Sequence, residues 1–406
     1  MRAITVRTQK KRGFQRIFII ILAILFSFLL FSGEGRAVAH ALTQEEEGAL
    51  EKLEVEIGEL IQSLDTEELQ NFLDSLSEFG GISVKDKVLS LITGDFALDY
   101  SSVFTATLAL VWEEGQAMLP AFAVILAVAL LCGILNSVKN SFLQSTTSDI
   151  IHFVSYVAVG VVVLACLLGV LEVGFGSIGS MQRQMEIVYP LLLTLMAASG
   201  GSVSVGVYRP AVAFMSGGIT ELFTAVVLPS AVVVIVLAFV GNLTENVRTE
   251  KLGELFKGIS KWLIGLTLGL FSLFLTVQGI ASAQYDGLSL RAARYVLSGS
   301  VPIVGGFLSG GVDVVVAGSA LIKNAFGAFA LYILVGTLLR PLLLYCAFQL
   351  FLRISAAATE PVGGKTSSFL SALAKDSGYF LSALLCIAFL YFLTIILLIC
   401  STGAFF

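Results

Sequence analysis

Charge is scarce in this chain. Asp, Glu, Lys and Arg make up 13% of its 406 residues, where a soluble domain carries about 25%. So few charges could not cover the surface of a soluble globular enzyme. Histidine is nearly absent: His40 and His152 are the two, too few for a histidine-based zinc site or a conventional catalytic triad. The five cysteines, Cys132, Cys166, Cys346, Cys386 and Cys400, each lie inside an apolar run. They form neither a disulfide framework nor a CxxC pair, and they read as small apolar residues of spanning helices. No basic stripe with interleaved aromatics points to nucleic acid. Val362-Gly363-Gly364-Lys365-Thr366 looks superficially like a phosphate loop, but Thr359 stands where the motif needs its first glycine. Any nucleotide hydrolysis would fall to another subunit. No cofactor or metal site is indicated, and the chain reads as non-enzymatic.

Apolar sequence is abundant. Hydrophobic residues are 57% of the chain and the mean hydropathy is +0.93, which places it among all-α polytopic membrane proteins. Arg2, Arg7, Lys10, Lys11, Arg12 and Arg16 precede an apolar run from Ile17 to Phe31. A small-residue stretch with two A-x-A sites follows, so 1–41 reads as a signal peptide cleaved after Ala41, with an uncleaved anchor as the alternative. Both place residue 42 outside. From Leu42 to Ala117 there are 17 Asp and Glu against Lys52, Lys85 and Lys87. This acidic exported region, 42–117, has an apolar helical stripe from Leu50 to Leu64 and a second through Leu69, Phe72, Leu73 and Leu76. Asp65 and Glu68 suggest a helix start of capping-box type, and Ser83 opens a short helix ending near Gly94. The stripes bury themselves against one another, against the membrane domain, or against a partner protein.

The membrane domain, 118–406, divides into eight hydrophobic segments: 118–135, 153–176, 187–207, 211–241, 262–282, 301–322, 325–352 and 379–400. Those at 187–207 and 301–322 are weaker, rich in Gly and Ser, with Pro190 and Pro302 near their starts. The loop 242–261 carries Arg248, Lys251, Lys257 and Lys261 and belongs in the cytoplasm by the positive-inside tendency. That requires 187–207, and by analogy 301–322, to enter and return. The expected topology is six full spans, two re-entrant segments and an external C-terminus. Trp112 and Trp262 sit at segment edges, as interfacial tryptophans do.

Asn136 and Asn140 match Asn242 and Asn246 without gaps, and three Ser-Gly-Gly runs begin at Ser199, Ser216 and Ser309. These suggest an internal repeat, against which stands chance similarity between apolar segments. Glu221, Asp313 and Arg340 are the candidate intramembrane polar residues. A charge at the bilayer centre costs about 3 kcal/mol, so they read as a polar path, an intersubunit contact or one structural ion pair. Asp313 is the favoured partner of Arg340, with Glu221 second.

Several stretches resemble one known family: PLLLTLMAASGG from Pro190 to Gly201, and a block from Gln278 through Asp286-Gly287, Leu290-Arg291, Arg294 and Val301-Pro302-Ile303-Val304-Gly305 to Leu321-Ile322-Lys323-Asn324. Glu78-Phe79-Gly80-Gly81, Gly94-Asp95 and NSFLQST from Asn140 to Thr146 add to it. From about Leu64 to about Leu398 the chain resembles the stage III sporulation protein AE family of endospore-forming bacteria. The resemblance implies a subunit of a channel or secretion-like complex joining mother cell and forespore across two membranes. It would lie in the mother-cell-derived membrane, with 42–117 between the membranes. The implied partners are the other subunits, including a separate cytoplasmic ATPase and ring-forming membrane proteins. The alternatives are a secondary transporter of a small solute and a scaffold that recruits the ring-forming subunits.

Overall fold

The computed structural model describes residues 61, 65–77, 79, 81–93, 100–142, 145–243, 249–274, 305–360 and 364–401. The signal segment, the stripe from Leu50 to Leu64 apart from Ile61, and the Asp286–Arg294 block lie outside the described residues. Among those described every regular element is helical. Two short helices, the acidic α1 (Glu67–Asp74) and α2 (Val84–Thr93), precede the long ones. Then come α3 (Tyr100–Phe142), α4 (Ser145–Ala198) and α5 (Ser202–Ala213). The α5 helix runs on through π-helical Phe214–Ile219, an α-helical turn Thr220–Leu222 and π-helical Phe223–Val227 into α6 (Leu228–Leu243). After α7 (250–274) follow α8 (Gly305–Thr359), α9 (Gly364–Asp376) and α10 (Gly378–Cys400). Five stretches are long and apolar enough to cross a membrane: Phe104–Val128, Tyr156–Ala198, Ser204–Gly241, Val316–Thr359 and Thr366–Cys400.

Two of the expected segment breaks do not exist. The segments 153–176 and 187–207 share the unbroken 54-residue α4 up to Ala198. Those at 301–322 and 325–352 share the 55-residue α8 from Gly305 onward. A re-entrant segment needs the chain to reverse near 176–187 or near 323, and the backbone runs straight through both as helix. Pro190 and Pro341 sit inside these helices. At about 1.5 Å rise per residue each helix is roughly 80 Å long, well over the about 30 Å hydrocarbon core.

The turn after α4 is the one break that the glycine runs mark correctly. Gly200 has φ +89°, its N–H donates to Ala197 O at 3.1 Å and the Gly201 N–H to Met196 O at 2.9 Å. This is a Schellman arrangement, whose left-handed position favours glycine. The other two runs differ. Gly217 and Gly218 lie in π-helix and Gly310 and Gly311 in the interior of α8. Asn136, Asn140 and Asn242 are helical, and Asn246 lies outside the described residues.

Paired contacts fix the directions of the helices. Phe122 stacks on Phe351 with ring centroids 4.3 Å apart, and Glu114 meets Arg340, so α3 runs parallel to α8. Gln184 Nε2 donates to Ala330 O at 2.7 Å, which with the basal contacts of Tyr156 makes α4 antiparallel to α8. Tyr345 packs on Phe380 and Lys323 Nζ donates to Ile399 O at 2.9 Å, so α10 is antiparallel to α8 too. Tyr156, Phe239 and Phe369 gather at one end of the bundle, here the basal end. Gly200, Ile399 and Ser401 lie at the distal end, where Ser401 Oγ approaches Met196 Sδ.

The core is aromatic and aliphatic, with Tyr189, Phe223, Phe329, Tyr345, Phe348 and Tyr391 fully enclosed. Glycines sit at the closest approaches. A methyl group on Gly160, Gly174, Gly327 or Gly336 would overlap Phe239, Phe380, Ile399 or Phe79 respectively, the small-residue logic of membrane helix packing. Helices α1 and α2 dock on this bundle. Ser83 opens α2, its hydroxyl taking the Asp86 N–H at 3.4 Å. In α1 the N-cap is Thr66, one residue past the expected Asp65, and Asp65 accepts from the Glu67 N–H instead. Leu69, Phe72, Leu73, Phe79, Val84 and Val88 are buried. Each large side chain contributes about 2–3 kcal/mol of burial.

Candidate functional site

Arg340 and Glu114 form the most conspicuous polar contact. The Arg340 Nε donates to Glu114 Oε1 at 3.2 Å and its terminal NH2 group meets the same oxygen. The two side chains are 31% and 25% exposed. Glu114 Oε2 is buried and takes no hydrogen bond among the described residues. The expected partner, Asp313, lies on the same unbroken helix as Arg340. Twenty-seven positions along one helix is about 40 Å, so the two cannot meet within one chain. Sequence reasoning missed Glu114 because Glu113 and Glu114 fall just before the apolar run of α3 and were counted with the acidic region.

Glu221 sits in the short α-helical turn between the two π-helical segments, on an exposed face. Its neighbour Thr220 is buried and shares a hydrogen bond with the Tyr391 hydroxyl. Tyr189 packs edge-on to Tyr391, centroids 6.4 Å apart. π-Helical turns recur at functional positions, but here they carry no charged side chain into the core. Glu221, Asp313 and Arg340 therefore do not form one cluster: Arg340 and Asp313 lie at distant levels of α8, and Arg340 engages α3.

Three further polar features lie outside the sequence candidates. Lys323 is enclosed, with its ammonium on the Ile399 carbonyl. A cleft of about 520 Å³ lies between the distal part of α4 and helix α5, with Glu186 and Arg209 among its lining residues beside Tyr189, Pro190 and Val212. Gln182 Nε2 donates to Glu186 Oε1 at 3.0 Å. At the basal end Lys257 Nζ meets Asp376 Oδ1 at 2.7 Å, with side-chain exposures of 21% and 9%. The ammoniums of Lys257 and Lys261 lie 5.8 and 5.3 Å from the Tyr379 ring centroid.

The basal pair supports a direct expectation. Lys257→Ala leaves the Asp376 carboxylate enclosed without its cation and is expected to lower stability by about 2 kcal/mol. Adding Asp376→Ala should restore most of the loss, and thermal unfolding of the purified protein in detergent reads both.

Residues 82–403 match the family described as Stage III sporulation protein AE. The chain is similar to Stage III sporulation protein AE of Bacillus subtilis (strain 168), 25% identical over 382 residues, which covers 93% of this chain and 96% of that relative. No solved structure matches it. With the match running from α2 past the end of α10, the chain belongs to the stage III sporulation protein AE family.

Proposed function

We propose that this protein is a non-enzymatic integral membrane subunit of a sporulation channel complex linking mother cell and forespore. Family membership supports a sporulation role, and the apolar helices fit an integral membrane protein. In this reading the protein lies in the mother-cell-derived membrane, with the acidic region 42–117 facing the space between the two membranes. Its partners there are the ring-forming subunits, and a separate cytoplasmic ATPase supplies energy from the basal side. The observation that carries the reading is the family match over almost the whole helical bundle.

Deleting the chain in an endospore-forming host is expected to leave engulfed forespores small and without late forespore transcription, while engulfment itself is completed. Full late-reporter activity in the deletion strain would remove the proposal. A secondary-transporter reading is favoured by the cleft that holds Glu186 and Arg209 on one hairpin. Solute flux by the purified protein alone in liposomes would support it. Loss of ring-subunit assembly without such flux would support a scaffold.

A further inference from the structure

The cleft between α4 and α5 carries two opposite charges that do not neutralise each other. Glu186 and Arg209 both line it and both are exposed. Among the described residues nothing bonds to the Arg209 guanidinium. The chain reverses at Gly200, so positions about equally far from that turn share a level on the two helices. Arg209 therefore stands opposite Leu193 and Thr194, and Ser216 opposite Glu186. The step from Glu186 to Leu193 along α4 is about 11 Å. Side chains lean toward the N-terminus of their own helix. In this antiparallel pair Glu186 leans away from the Gly200 turn and Arg209 toward it, which moves the charges further apart.

The Glu186 end is built of acceptors. Gln182 Nε2 holds Oε1 at 3.0 Å, which leaves Oε2 facing outward. Pro190 lines the same cleft and has no N–H, so the Glu186 carbonyl beside it lacks its helical donor. The Ser216 hydroxyl, also in the wall, spends its hydrogen on Ala213 O at 3.4 Å and keeps its lone pairs. Three acceptors match the three donors of a primary ammonium group. The Arg209 end is a donor fork with the geometry of a carboxylate partner. Between the ends the bed is apolar: Met185, Tyr189, Leu193 and Val212 are buried and line the cleft.

We infer that this cleft binds a short zwitterionic peptide, with its amino end at Glu186 and its carboxyl end at Arg209. A charge-assisted contact takes about 3 Å at each end. The roughly 5–8 Å that remain, allowing for the lean of the side chains, are the length of about two or three extended residues at about 3.5 Å each. A free amino acid is too short to reach both charges. The volume of about 520 Å³ falls within the about 300–1,000 Å³ of small-ligand sites. An apolar side chain in the middle of the peptide meets the apolar bed. A lipid acyl chain would fill that bed but leave both charges without partners. Binding of this kind is independent of the proposed sporulation complex.

Calorimetric titration of the purified full-length protein in detergent tests this. The probes are alanyl-leucyl-alanine, its N-acetyl and C-amide forms, and free leucine. The zwitterionic peptide is expected to bind saturably and each blocked form about tenfold more weakly, as the loss of one charge-assisted contact implies. Free leucine should show no saturable binding. Glu186→Gln should weaken the peptide about tenfold and no longer distinguish it from the N-acetyl form. Arg209→Gln should do the same for the C-amide form. Thermal unfolding checks that both variants stay folded; if either does not, the blocked peptides on the unchanged protein decide alone. Absence of saturable binding by the zwitterionic peptide, equal affinity for the blocked forms, or undiminished affinity in folded Arg209→Gln would overturn the site.

Discussion

Arg340→Ala is expected to lower the stability of the purified protein by about 2–3 kcal/mol, because it leaves the partly enclosed Glu114 carboxylate without its cation. In cells the expected result is a several-fold drop in protein level. Combining it with Glu114→Ala should recover most of the loss, since both charges are then gone. Asp313→Ala in the same background should recover nothing, because α8 carries Asp313 about 40 Å from Arg340. Immunoblotting and size-exclusion profiles in detergent distinguish the outcomes. Rescue by Asp313→Ala in place of Glu114→Ala would contradict the pairing within one chain. It would put the Arg340 partner on a neighbouring copy. A lysine is a poor substitute, since both the Nε and a terminal nitrogen of the arginine fork engage Glu114.

Gly336→Leu is expected to release α1 and α2 from the bundle. Phe79 is 1% exposed, lies edge-on to Tyr332 at 5.6 Å and fills the space in which a Gly336 side chain would stand. Overlap of a rigid ring with a new isobutyl group, on a helix that cannot retreat, costs about 3 kcal/mol. Local opening of α1 and α2 should then rise by more than about a hundredfold. Limited proteolysis within 65–93 reads this directly, with the rest of the bundle intact as an internal control. Phe79→Ala alone should give a similar release through lost packing. Phe79→Ala with Gly336→Leu should be milder than either change, since the leucine occupies the vacated space. Unchanged proteolysis in Gly336→Leu would show that Phe79 does not hold α1 and α2 down.

Membrane class and helical content were legible from composition, because 13% charge and 57% hydrophobic residues leave few other folds. The start of α2 at Ser83 was legible because serine capping is a local signal. Segment limits were not. Hydropathy drops at Glu172, Arg183 and Glu186 although the helix does not, since polar side chains at a helix surface leave the backbone ladder untouched. The glycine runs misled for a related reason. Helix propensity penalises Gly217 and Gly310 by about 1 kcal/mol each, and packing in long helices overrides that. At Gly200 a positive φ and two specific hydrogen bonds make the break real. The partner of Arg340 was hidden because 226 positions separate it from Glu114, and no local pattern reports such a contact.

The long unbroken helices have a mechanical consequence. An α-helix resists changes in length because every turn is tied to the next by hydrogen bonds along the axis. In α4 and α8 a displacement at the basal end therefore reaches the distal end as one rigid stroke. The rod from Ser202 to Leu243 is built otherwise. Its two π-helical segments widen the turns on either side of Glu221, so an axial displacement along this rod meets two changes of helical pitch that α4 and α8 do not have.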